Sequence, residues 1–240
     1  MAKNSGLKYR RILLKISGEA ISSPADVFDL RTVDALISEI LTVHALGAEI
    51  GIVIGGGNIV RGEKLAGAGF NKSRSDYMGM LATVINGMLF ENAFEAKGIP
   101  AKLHSALQVS SAAEGVNVNA GMRHLEDGDI VIFAGGTGNP YFTTDTAAAL
   151  RACEIGADAL LKATKVDGVF DRDPAIYGDA VFYPEVSYDD ILRDKLKVMD
   201  MTAVSMCRDN AIPIIIFNLH QQGNLKKIVN GESIGTIVKE

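Results

Sequence analysis

The chain has 240 residues, with 24 lysines and arginines against 29 aspartates and glutamates, a formal net charge of −5. That balance excludes a broad nucleic-acid surface, which needs clustered cations, and 48% hydrophobic with 22% charged residues excludes a disordered chain. No apolar run approaches the roughly 20 residues that span a bilayer, and the N-terminus lacks a signal peptide's apolar core, so a cytoplasmic protein with no membrane contact is expected. Cys153 and Cys207 read as reduced thiols.

Ile12 to Ile16 is a short apolar run leading into Ser17-Gly18, interrupted only by Lys15. A lysine within a buried strand is costly unless it is paired or stands at the strand's mouth. An edge-strand lysine would also account for it, but the glycine turn and Glu19 that follow favour an active-site cation. Val33, Leu36, Ile37, Ile40 and Leu41 have helical spacing, with Gly47 beyond. Ile50 to Ile54 then runs into Gly55-Gly56-Gly57, more glycine than a tight turn requires, which suggests a phosphate-cradling turn. It is not a dinucleotide fingerprint, because Val60 stands where the third glycine belongs. Arg61 follows closely enough to meet a phosphate. Tyr77 to Lys97 reads as a long helix with Gly98 after it and Pro100 beyond, and Arg74-Ser75-Asp76 looks like its N-cap.

Ala120 to Leu125 supplies another helical segment, and Ile130 to Ala134 another apolar run. The stretch that follows, Gly135-Gly-Thr-Gly-Asn-Pro-Tyr-Phe-Thr-Thr-Asp145, is the most informative in the chain. Its glycines let backbone approach a ligand, Asn139-Pro140 imposes a turn, and the threonines stand where a helix begins and can hold an anion. Asp145 beside an anion site makes sense only with a cation or metal between, which suggests phosphate chemistry. Helix is expected from Thr144 to Ile155. Ala159 to Leu161 is a further strand, running into a loop from Lys162 to Pro174 dense in charge. Lys197-Val-Met-Asp200 reads as a helix-capping acid with Val198 and Met199 in the core. Pro213 precedes a strand at Ile214–Phe217, and Thr236–Val238 is expected at the sheet's edge.

Short apolar runs alternating with amphipathic helices imply an α/β fold, a doubly wound and mainly parallel sheet with helices on both faces. Ligands then gather at the carboxyl ends of the strands, where the loops after residues 16, 54, 134 and 161 all fall. We read one domain of two lobes, about 8–150 and 151–240, each carrying one substrate. The absence of G-x-x-x-x-G-K-[ST], H-R-D and D-F-G excludes a P-loop enzyme and a protein kinase.

Taken in order, Lys15-Ile-Ser-Gly-Glu-Ala20, Val53-Ile-Gly-Gly-Gly-Asn58 with Arg61-Gly62, Asp76-Tyr-Met-Gly-Met-Leu-Ala82, Gly136 to Asp145, Lys162-Ala-Thr-Lys-Val-Asp-Gly-Val-Phe170, Asp173-Pro174 and Lys197-Val-Met-Asp200 resemble the bacterial uridylate (UMP) kinases of the amino-acid-kinase superfamily. The resemblance runs from Arg11 to the C-terminus. It implies the reaction ATP + UMP giving ADP + UDP with Mg²⁺, in a cytoplasmic homohexamer. It implies ATP contacts at Lys15, Ile16, Ser17, Gly18, Gly57, Arg61, Thr164, Phe170 and Asp173. It implies UMP contacts at Gly56 and Asp76 and at Thr137, Gly138, Asn139, Pro140, Tyr141, Phe142, Thr143 and Thr144. The catalytic set would be Lys15, Arg61 and Asp145, with Lys162 or Lys165 as a second cation; no residue is assigned as a metal ligand.

One departure stands out. The family's glycine-rich stretch is replaced here by Ile21-Ser-Ser-Pro-Ala-Asp-Val-Phe-Asp-Leu30, so activation by GTP is not carried over, while inhibition by UTP remains a weaker expectation. Two rival functions share most of these features: phosphorylation of a carboxylate or carbamate, and non-catalytic nucleotide sensing. His44, His104, His124 and His220 read as ordinary surface or core residues, and the methionines of the 78–88 helix as core or subunit-interface packing.

Overall fold

The computed structural model describes residues 6–172, 174, 176–194, 196 and 198–240. Nine strands form the central sheet: β1 (Arg11–Ile16), β2 (Glu49–Ile54), β3 (Ala101–Ser105), β4 (Glu114–Gly115), β5 (Ile130–Ala134), β6 (Ala159–Thr164), β9 (Glu185–Ser187), β10 (Ile214–Asn218) and β11 (Thr236–Lys239). Their order is β4-β3-β5-β2-β1-β6-β10-β11-β9. All neighbours run parallel except β10 and β11, so β11 and β9 oppose the rest. Strands β7 (Val169–Phe170) and β8 (Phe182–Tyr183) make a separate hairpin. The helices are α1 (Leu30–His44), α2 (Gly62–Gly67), α3 (Lys72–Glu95), α4 (Val118–Asp127), α5 (Thr144–Ile155), α6 (Tyr188–Asp194), α7 (Met201–Asp209) and α8 (Asn224–Val229).

Strand alternation divides the core in two. Ile12, Leu14 and Ile16 of β1 and Ile50, Ile52 and Ile54 of β2 pack on one face, against Ile37 and Ile40 of α1, Phe90 and Phe94 of α3 and Leu225 of α8. Leu13, Val53, Phe133 and Leu160 pack on the other, against Leu125 of α4, the alanines of α5 and Val204 of α7. The runs look uniformly apolar because both faces are covered, the condition for a doubly wound sheet. Side-chain direction has a period of two along a strand, so Lys15 shares the face of Leu13, and Lys162 that of Leu160. Both therefore lie on the α5 side. Among the described residues, no helix is long and apolar enough to cross a membrane.

Three expectations change. The long helix begins at Lys72 rather than Tyr77, because the Asn71 side chain accepts the Arg74 amide at 3.0 Å; Arg74-Ser75-Asp76 lies inside the first turns and caps nothing. Strand β11 is not the edge, since the three-residue β9, too short and polar to show a pattern, pairs outside it. Strand β3 gave no sequence signal, because Lys102 and His104 break its apolar run. Strand β1 lies between β2 and β6, which removes the edge-strand explanation of Lys15.

Candidate active site

Lys15 and Lys162 are register partners on the adjacent strands β1 and β6. Both ammonium groups reach one carboxylate in the first turn of α5. Lys15 Nζ lies 2.9 Å from Asp145 Oδ1 and Lys162 Nζ lies 2.7 Å from Oδ2. Lys162 also donates to the Val198 carbonyl at 2.6 Å. All three side chains are largely buried, with 11%, 14% and 16% exposure for Lys15, Asp145 and Lys162. Burial pushes the Asp145 carboxyl up, but the ammonium groups of Lys15 and Lys162 outweigh it and hold the group below the usual carboxylate range. Burial lowers Lys162, and Asp145 only partly restores it. Two cations share one directly paired anion in a poorly solvated place, with Asp200 acting on Lys162 from farther away.

The start of α5 is fixed by Thr143. Its hydroxyl oxygen accepts the amides of Asp145 at 3.0 Å and Thr146 at 3.4 Å, and its proton goes to Asp200. Asp200 also accepts from Thr146 Oγ1 at 2.9 Å and caps α7 through the Ala203 amide. This acid therefore ties α5 to α7 beside the lysines, and Val198 and Met199 are buried as expected. Lys197 and Asp173 lie outside the described residues.

A cleft of about 770 Å³ opens next to this charge set, lined by Gly56, Gly57, Arg61, Asp76, Gly136 and Tyr141 to Thr144, among others. Its floor depends on close backbone approach. A Cβ on Gly18 would stand 2.4 Å from Asn58 Oδ1 and 2.7 Å from the Gly55 carbonyl, and one on Gly56 would stand 2.7 Å from the Gly79 carbonyl. Asn86, fully buried, anchors the turn from α3 by donating to the Gly55 carbonyl at 2.6 Å and to Asn58 Oδ1 at 2.8 Å. Thr83 Oγ1 anchors the next loop by accepting the Gly135 amide at 2.8 Å. Sequence reasoning missed Asn86 and Thr83; the one available signal was polar residues on the buried side of an otherwise apolar helix.

Gly135, Gly136 and Gly138 have φ of 76°, 60° and 81°, the left-handed region, and Tyr141 is held there too at 73°. Asp76 holds it, accepting the Tyr141 amide at 2.8 Å while pairing with Lys72 at 2.5 Å. Arg61 pairs with Glu19 across the cleft. Thr137, Gly138, Asn139 and Pro140 form the outer part of this loop, with Gly138 against Ala106, and do not line the cleft.

The remaining residues stand around the end of β6. Ile16 ends β1 and Ser17 opens a short 3₁₀ turn over Gly18–Ile21. Thr164 Oγ1 donates to the Val166 carbonyl at 2.7 Å, and Phe170 meets Phe182 edge-on at 5.4 Å in the β7–β8 hairpin. Lys165 is exposed in the loop after β6, whereas Lys162 joins Lys15 on Asp145. Cys153 and Cys207 are free thiols, and burial pushes Cys207 up to about 12.

A sequence model described as the amino acid kinase family matches residues 10–218. Among solved structures, the UMP kinase from Bacillus anthracis superposes with a TM-score of 0.93 at 35% identity, over 96% of this chain and 96% of that one. The UMP kinase from Ureaplasma parvum superposes at 0.90 with 33% identity, over 97% and 100%. The uridylate kinase from Archaeoglobus fulgidus superposes at 0.71 with 27% identity, over 95% and 99%.

Proposed function

This chain belongs to the amino acid kinase family, and on that premise we propose that it transfers the γ-phosphoryl group of ATP to UMP, giving ADP and UDP. The likeness to UMP kinases over nearly whole chains supports the substrate. The observation that carries the chemistry is the Lys15–Asp145–Lys162 set, which holds a surplus positive charge in place before any substrate arrives. Phosphoryl transfer needs positioning and charge neutralisation more than covalent participation. Preorganised cations at a desolvated site are worth most where charge develops, and holding two nucleotides in line can lower the barrier by roughly 7–11 kcal/mol. The UMP phosphate is already ionised, so no strong general base is required.

In this reading the N-terminal lobe, about 8–150, holds UMP in the cleft, with Asp76 on the ribose, Gly56 and Tyr141 to Thr144 around the nucleotide, and Thr137 to Pro140 in the outer part of the same loop. The C-terminal lobe, about 151–240, holds ATP near Thr164, Phe170 and Asp173, and Lys15, Gly18, Gly57 and Arg61 reach its phosphates. Mg²⁺ bound to ATP would supply charge neutralisation there. Asp145 is engaged by two lysines, Glu19 by Arg61 and Asp76 by Lys72, while Glu63 lines the cleft with no ion pair among the described residues. A cation carried on ATP would take phosphate and water oxygens as its main ligands. The same reading makes the enzyme cytoplasmic.

The test is ADP release from Mg²⁺–ATP against UMP, CMP, dTMP, aspartate and acetylglutamate. Turnover with UMP alone is expected. Turnover with an amino acid would transfer the proposal to carboxylate phosphorylation, and ATP binding without any turnover would make the chain a sensor. Adding GTP and UTP at sub-saturating UMP extends the assay: inhibition by UTP is expected, and several-fold activation by GTP would overturn the reading of the altered 21–30 segment.

A homohexamer belongs to the same proposal. Tyr77, Met78, Leu81, Ile85 and Met88 follow one side of α3 with 38–47% exposure, a contiguous apolar stripe of the kind that marks an interface. Ile85→Glu should lower the mass found by light scattering. A mass identical to the parent protein's would exclude this stripe as a subunit contact.

A further inference from the structure

His104, Glu114 and His124 come together at the β4 edge of the sheet, away from the cleft. His104 on β3 is the register partner of Glu114 on β4, and His124 reaches them from α4. One ligand atom from each lies within 4.8 Å of the others. We propose that these three side chains bind a first-row divalent metal ion of the zinc type, with solvent at the fourth position.

The first support is His104 itself. Its side chain is fully buried, and neither ring nitrogen makes a hydrogen bond of good geometry, although the Gly115 backbone is close enough to act on the ring. An unpaired buried polar group is costly, and a metal bond to the ring would relieve that cost. The second support is the arrangement around His124. Its Nδ1 meets Asp129 Oδ2 at 2.9 Å, which leaves Nε2 as the donor. A carboxylate behind a ligating histidine is the usual device for orienting the ring and raising its basicity. The third is access: Glu114 is exposed and His124 partly so, which leaves room for entry and for a water ligand. The neighbouring cation, Arg151, is paired with Glu154.

Two imidazoles and one carboxylate suit zinc, cobalt or nickel, whereas magnesium and calcium take oxygen ligands. Tetrahedral bonds of 2.0–2.1 Å put ligand atoms roughly 3.4 Å apart, so the exposed Glu114 side chain would close inward on binding. The site bears on the nucleotide loop through the segment after His104. The Gly135 Cβ position stands 2.9 Å from the Ala106 amide, and that of Gly138 stands 3.1 Å from the Ala106 carbonyl. A metal at the base of that segment would stiffen a wall of the 135–142 loop.

The test is titration of chelator-treated protein with Co²⁺, followed by visible absorption, and with Zn²⁺ by calorimetry. One ion per chain is expected, with the intense bands of tetrahedral cobalt. His124→Asn and Glu114→Gln alter partly exposed side chains, and unchanged far-ultraviolet dichroism would establish that they fold. Each should lose most of the affinity, and Asp129→Asn should weaken it roughly 10–100-fold. No saturable uptake, weakly absorbing octahedral cobalt, or an affinity unchanged in either ligand variant would overturn the site.

Discussion

Replacing Lys15 with alanine is expected to lower kcat by a factor on the order of 10²–10³, as loss of one preorganised charge donor does. Lys15 and Lys162 together leave Asp145 outnumbered. Without Lys15 the remaining pair is neutral, and the surplus charge that would meet the transferred phosphoryl group is gone. The KM for UMP should move little, because the cleft lining does not include Lys15. Alanine also leaves a small cavity beneath α5, so Lys15→Met serves as a control that keeps the bulk and loses the charge. Steady-state kinetics on both variants decides the matter: near-full turnover in either would remove Lys15 from the chemistry.

The second large effect falls on stability as well as rate. Asp145→Asn leaves two ammonium groups on neighbouring strands with no paired carboxylate, only Asp200 at longer range, in a site where all three partners are less than one-fifth exposed. Breaking a buried pair by removing one member typically costs about 3–5 kcal/mol. Burial already lowers Lys162, and without Asp145 it falls further, since that carboxylate is the main group raising it. The variant should fold, unfold at lower denaturant, and turn over slowly.

Its pH profile should differ in a defined direction. The folded-state value of Asp145 is depressed below the 3.8 of the free group. Its contribution is therefore fully present above that value and disappears as pH falls through the depressed one. Parent protein should lose this increment only in acid, and the asparagine variant should show a shallower acid limb. Urea midpoints from neutral pH downward measure it. Parallel acid limbs, or a normal kcat, would contradict the role given to Asp145.

The α/β class, the strands at the sheet's centre, the glycine turns at their ends and the family were all legible in the sequence. These features are short-range: an apolar run of five residues, a glycine cluster or a helix-start threonine carries its meaning within a few neighbours. The family model and the solved UMP kinases agree with the resemblance drawn from those motifs. Strand β3 escaped because Lys102 and His104 break its apolar run, although His104 is buried. The helix start at Asn71 escaped because a better cap stood upstream of the one chosen.

What the tertiary structure decided is which distant residues meet. Sequence left Lys162 and Lys165 as equal candidates; the β1–β6 register sets Lys162 opposite Lys15 and leaves Lys165 in the loop. Asn86 and Thr83 became loop anchors only when α3 packed beneath the glycine turns. His104 and His124, read as ordinary, acquired each other and Glu114 through a strand register and a helix crossing. Hydrophobic periodicity specifies which face of an element is buried. It carries no information about which element lies opposite, because any apolar face satisfies any other; side-chain chemistry between distant segments depends on that pairing and is settled only when the chain closes.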